Sequence, residues 1–166
     1  DVIFVGNFSI GYIHTRTALV AYLRSCHARL AAQRGMLVCD LYGGVNAFVP
    51  GGGTRQFPWP DGQTAHYTWR NETADVLTAM VSNTISFRLA IGVGEKPEIT
   101  AEWPDAFVYR WRLWGLAELR EAMAEAGFSG SDVYLDYRLG PEGRPRAVVR
   151  PEAMPGDWVV LIAARV

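Results

Sequence analysis

The chain opens on four consecutive apolar, β-favouring residues, Val2, Ile3, Phe4 and Val5. An unbroken apolar run predicts a parallel strand covered on both faces. A loop follows over residues 6–12. Leu19, Leu23, Cys26 and Leu30 then recur at helical spacing behind Thr15, a suitable N-cap, and predict a helix over residues 15–32. Gly35 ends the connection, and residues 36–41 form a second apolar strand that runs into Tyr42-Gly43-Gly44. Strand, helix and strand in this succession make a βαβ unit with an expected right-handed crossover.

The period then falls to two. Residues 50–63 are rich in Pro and Gly and read as a loop. Beyond them, residues 65–70, 80–89 and 107–113 alternate as antiparallel strands with one covered face do, with Val81, Ile85, Phe87 and Leu89 sharing a side with Asn83. Phe107, Tyr109, Trp111 and Leu113 share one side of the third run, and Val108, Arg110 and Arg112 share the other. A second helix is predicted over residues 116–126 from Leu116, Leu119, Met123 and Ala126, with Gly127 as its stop. Residues 132–137 are a strand, 140–156 a Pro/Gly loop and 158–164 a final strand, which implies antiparallel pairing at the end of the sheet.

Composition narrows the class. Of 166 residues, 49% are apolar and 20% charged, with six Trp, seven Tyr and seven Phe, the profile of a folded globular domain rather than a disordered chain. The net charge of −1, with both signs scattered, gives no footprint for nucleic acid or for an anionic membrane. Cys26 and Cys39 match no metal-ligand spacing, and each lies in an apolar run, as expected of buried thiols in a reducing compartment. No stretch approaches the ~20 apolar residues of a membrane span, and no basic region precedes the first apolar run, so a cytoplasmic protein is expected.

The topology and its corner residues resemble class I S-adenosylmethionine-dependent methyltransferases, over most of the chain, as that family's C-terminal half. "DVIFVGNFSIGYI" resembles the family's fourth strand and the loop that faces the cofactor, and "GMLVCDLYGG" the fifth strand. "YRWRLWGLAELREAMAEAGFSGSDVYLDY" is similar to the segment leading through a helix and an AGF turn into the sixth strand. "DWVVLIAARV" is similar to the seventh strand, which inserts antiparallel between fifth and sixth. The resemblance implies an α/β fold, a partial Rossmann-like methyltransferase sheet of order 4-5-7-6 with its last strand antiparallel. Residues 57–113 would be inserted antiparallel strands forming an acceptor-side cap on a single partial domain spanning 1–166. It also implies an absence, since the family's glycine-rich turn and following ribose-binding carboxylate have no counterpart. "GGG" at 51–53 does not substitute, because no strand there leads directly into a helix. The start at Asp1, directly in a strand, suggests a truncated product or partial gene. The first strand is then expected to be an exposed edge, open to self-association, and the isolated chain to be poorly soluble or marginally folded.

Ligands of parallel sheets bind at the carboxyl ends of the strands. Those ends are residues 6–12 and 40–44. The resemblance places S-adenosyl-L-methionine against Gly6, Asn7, Phe8, Ser9 and Tyr12. Asn7 and Ser9 are alternatively turn caps, and Phe8 a packing residue. Tyr42 is a candidate for acceptor binding or catalysis, or else a strand-end aromatic. His14 and His66 are candidate bases or surface histidines. Trp69 and Arg112 are candidate acceptor contacts, the tryptophan alternatively core and the arginine alternatively paired with Glu102 or Asp105. No metal site is expected. The partner implied is a small-molecule methyl acceptor. Two other readings stand beside the methyltransferase: a non-catalytic remnant or interaction module of the same fold, and a fragment of another nucleotide-fold enzyme such as an NAD-dependent dehydrogenase.

Overall fold

The described residues form, in chain order, β1 (Val2–Val5), a 3-10 turn (Ser9–Tyr12), α1 (Arg16–Arg29), β2 (Met36–Gly44), β3 (Gly51–Pro58), a second 3-10 turn (Pro60–Gly62), β4 (Gln63–Asp75), β5 (Met80–Ile91), β6 (Glu98–Arg112), α2 (Leu116–Ala126), β7 (Gly130–Leu139), β8 (Pro145–Ala147) and β9 (Asp157–Arg165). The structure is a computed structural model that describes residues 1–92, 97–139, 142–148, 154 and 156–166. Much of the loop expected at 140–156 lies outside the described residues; its described part includes β8. The chain divides into two compact units, one of residues Asp1–Ala47 with Trp111–Val166, the other Phe48–Arg110.

The first unit is a five-stranded sheet in the order β1-β2-β9-β7-β8. β1 runs parallel to β2, from Val2 opposite Met36 to Val5 opposite Cys39. β9 is antiparallel to both its neighbours, pairing β2 along its whole length and β7 from Gly130 to Leu135. The helices form as the sequence spacing directs. Thr15 caps α1, its Oγ1 accepting the Ala18 amide at 3.3 Å. α2 ends at Gly127, whose φ of 110° favours a residue without Cβ, and the Phe128 amide reaches back to the Met123 carbonyl. One core joins Leu19 and Leu23 of α1, Leu119 and Met123 of α2, and Leu37, Cys39 and Leu41 of β2 with Val160, Ile162 and Ala164 of β9. Strand alternation therefore puts Val38, Asp40 and Tyr42 on the opposite face of β2.

β1 is an exposed edge, as expected of the first strand, and lacks the two-sided cover that its apolar run alone predicts. Its continuous apolar run is covered on one side only: Val2 is 65% and Phe4 58% exposed, at the open edge of the sheet. A parallel strand buries both faces only when layers flank it on both sides.

The second unit is a four-stranded sheet, β3-β4-β5-β6. Its first strand corrects the sequence reading, which made residues 50–63 a loop. β3 pairs β4 without interruption from Gly51 opposite Asn71 to Pro58 opposite Thr64. All eight of its residues are exposed, so it carries no burial pattern, and an edge strand tolerates the Pro and Gly that an inner strand would reject. The unit spans Phe48–Arg110, and its last strand, β6, runs on through Trp111 to Arg112. Tyr67, Trp69, Phe87, Phe107 and Tyr109 form a ring ladder on one face; Trp69 and Tyr109 stack at 6.0 Å and Phe107 and Tyr109 at 6.4 Å. No helix among the described residues is long and apolar enough to cross a membrane.

Candidate functional site

β1 ends at Val5, opposite Cys39 of the parallel β2, which runs on past it to Gly44. Just past β1 the chain turns through two successive left-handed residues, Asn7 at φ 57° and Phe8 at φ 56°. Such a conformation costs a non-glycine residue about 1–3 kcal/mol and persists only where the surroundings enforce it. Two kinds of contact do so. The Phe8 amide donates to Asp40 Oδ1 at 2.7 Å, and the short helical turn behind it is closed by Ser9 N to Gly6 O at 3.2 Å and Gly11 N to Phe8 O at 2.9 Å.

The corner turns the Phe8 ring into an aromatic cluster. Phe8 meets Tyr42 edge-on at 5.0 Å and Trp111 at 5.8 Å, while Trp111 also meets Tyr12 and Tyr42, each at 6.0 Å. Gly11 makes this possible: a Cβ there would lie 2.8 Å from the Trp111 Cβ. The void between these side chains is only about 10 Å³, so the rings form a packed floor. Tyr12, 52% exposed, is its outward edge. The structure thus brings together Gly6, Asn7, Phe8, Ser9, Tyr12 and Tyr42, all named from the sequence as candidates. Trp111, buried at 2%, was assigned from the sequence to the inserted strands, together with Phe107 and Tyr109.

Asp40 was missed. Only its position, a lone carboxylate in the apolar run MLVCDL, signalled it. It is 1% exposed, and buried charges are kept where they are hydrogen-bonded.

The remaining candidates make other contacts. Arg112 bonds Glu118 Oε1 at 3.1 Å, donates to the His14 carbonyl at 3.0 Å and lies 4.0 Å over the Trp114 ring. These contacts tie the start of α2 to the segment before α1. The exposed His14 contributes its carbonyl to that brace. His66 and Trp69 sit on β4 in the second unit, His66 with its Nδ1 3.5 Å from Arg88 Nη2. His27 packs edge-on against Phe128 at 5.1 Å. A wider groove of about 570 Å³, lined by Asp1, Ile3, Tyr22, Cys26 and Arg29 among others, opens at the start of β1 rather than at its carboxyl end. Among the described residues no group of His, Cys, Asp or Glu is arranged to hold a metal ion.

Cys39 lies beside Asp40 but faces the core. Burial, helped by the neighbouring Asp40 charge, pushes its thiol up to about 12. Because the thiolate is the reactive form, Cys39 should resist iodoacetamide at pH 8 in the folded protein and alkylate once denaturant is added, read by mass spectrometry. Rapid modification without denaturant would show that this side of the sheet opens.

No protein-family description and no curated protein matches the sequence. Solved structures similar to the chain include the CcbJ methyltransferase from Streptomyces caelestis, with a TM-score of 0.54 and 16% identity, over 99% of this chain and 60% of that one. The chain therefore spans about three-fifths of that protein's length, and what the two share is a mixed α/β fold.

Proposed function

We propose that the chain is the acceptor-side part of an S-adenosylmethionine-dependent methyltransferase that acts on a small molecule. The observation carrying this reading is the left-handed corner of Asn7 and Phe8, held just past the carboxyl end of β1, beside the parallel β2, and closed by Tyr42 and Trp111. The strand order β1-β2-β9-β7, with β9 antiparallel, supports a partial Rossmann-like sheet, and the shared fold with a methyltransferase supports the same class.

Bound S-adenosylmethionine would supply the electrophilic methyl group. In-line methyl transfer depends on positioning and water exclusion, and the chain's own residues suit those tasks. Phe8 and Trp111 give an apolar, water-poor floor. Gly6, Asn7 and Ser9 would border the donor, Asn7 and Ser9 with polar side chains, and Tyr12 and Tyr42 would orient an acceptor. These residues fit the methyl end of the cofactor. They do not fit its adenosine end, for the described residues include no glycine-rich strand-to-helix turn with a following carboxylate. Arg112 we assign to bracing rather than to the acceptor.

Isothermal titration of the full gene product containing these residues, with S-adenosylhomocysteine and separately with NAD, tests the reading. Heat with the first and none with the second is expected. The reverse would make the protein a nicotinamide enzyme, and silence with both would leave a non-catalytic interaction module.

A further inference from the structure

The buried carboxylate of Asp40 has a place in this site that the rings alone do not explain. The parallel register ends with Val5 opposite Cys39, so Asp40 is the next residue along β2, level with the point where β1 breaks into its corner. Its Oδ1 takes the Phe8 amide across 32 positions of sequence, from a side chain 1% exposed. Two residues further on, Tyr42 leaves β2 on the same face and meets the Phe8 ring at 5.0 Å. One strand thus grips Phe8 twice, by its backbone and by its ring. Asn7 accepts the left-handed region more readily than most residues, but Phe8 does not, and its conformation depends on the contacts around it.

We propose that Asp40 is the positioning residue of this site: its carboxylate fixes the Phe8 amide, and through it the left-handed corner that presents Phe8 to Tyr42, Trp111 and a ligand. The ligand's identity rests on the methyltransferase reading; the hold on the corner does not.

Amide hydrogen exchange by NMR, paired with S-adenosylhomocysteine titration, tests it in the wild type, Asp40→Ala and Asp40→Asn of the full gene product. In the wild type the Phe8 amide should be protected and its proton shifted downfield by the charged acceptor. In Asp40→Ala, exchange at Phe8 should quicken and the Kd for S-adenosylhomocysteine should rise, each by about tenfold or more, as loss of a hydrogen bond to a charged group implies. Leu119 and Met123 in α2 should keep their protection. Asp40→Asn, which retains a carbonyl oxygen as acceptor, should recover most of both losses. Unchanged Phe8 exchange in Asp40→Ala, equal loss of protection at Phe8 and α2, or no recovery in Asp40→Asn would each overturn the proposal. So would weakened Phe8 protection with unaltered affinity. If Asp40→Ala fails to fold, the wild-type amide decides: an unshifted, unprotected Phe8 proton overturns the assignment. A wild type that binds no S-adenosylhomocysteine defeats the cofactor reading alone, and the exchange comparison still decides the role of Asp40.

Discussion

Replacing Trp111 by alanine should destabilise the first unit by about 3–5 kcal/mol, the usual cost of removing a buried tryptophan. The indole is 2% exposed and is edged by Phe8, Tyr12 and Tyr42 at 5.8, 6.0 and 6.0 Å. Its loss leaves the 3-10 turn at Gly11 with nothing to rest against, because that glycine lets the backbone approach the indole. In a chain of this size the melting temperature should fall by roughly 10 °C or more, followed by circular dichroism. Trp111→Phe should lose less, since a ring remains. A melting temperature unchanged by the alanine substitution would mean that the aromatic floor is not part of the folded core. The reading of the site would then lose its scaffold.

The second large effect belongs to Gly44, where β2 ends. Its φ is +120°, and a Cβ there would lie 2.2 Å from the Gly156 carbonyl oxygen and 2.6 Å from Asp157 Cα. Both obstacles are backbone, in the strand pair that Val45 N also joins by donating to Gly156 O at 2.9 Å. Backbone strain and overpacking together should make Gly44→Ala cost about 3 kcal/mol. The neighbouring contact cannot absorb the shift easily, for Asn46 bonds both Asp157 oxygens, at 3.0 and 2.7 Å, and those bonds hold the Asp157 carboxyl below the usual carboxylate range. Gly53→Ala is the matched control, since a Cβ there meets nothing within 4 Å. Chemical denaturation of the two variants should separate them clearly; equal midpoints would show that β2 and β9 part more readily at this end than their pairing suggests.

The legible parts of the fold were those where one side of an element is buried. α2 was read with its observed limits because Leu119, Met123 and Ala126 repeat at helical spacing and Gly127 marks the stop. The two apolar runs at 2–5 and 36–41 became neighbouring strands for the same reason. β3 was illegible because hydrogen bonds to β4, not buried side chains, make it a strand, and those leave no periodic trace. Trp111 prolongs the alternation of Phe107 and Tyr109 and lies with them on β6, but alternation reports a face and gave no sign that its ring would meet Phe8, Tyr12 and Tyr42. Gly6, Asn7, Phe8, Ser9, Tyr12 and Tyr42 were named as candidates from the strand-end rule and the family resemblance. Asp40 fell within the strand end at 40–44 but was not singled out, since the apolar run that identified β2 gave no sign that a charge within it would meet an amide from the turn after β1.

The position of β9 bears on how the protein is made. This strand sits in the middle of its sheet yet follows all its partners in the chain, pairing Met36 with Arg165 at one end and Gly44 with Asp157 at the other. During synthesis β1 and β2 emerge early and β7 late, and neither group can close the sheet until residues 157–165 have left the ribosome. Until then the edge of β2 stands open, with the unpaired backbone groups that attract other nascent chains. Such distant pairing makes for slow folding. Production at low temperature or with a chaperone that shields open strands should therefore raise the yield of folded protein, and deletion of β9 should scatter the first unit rather than trim it.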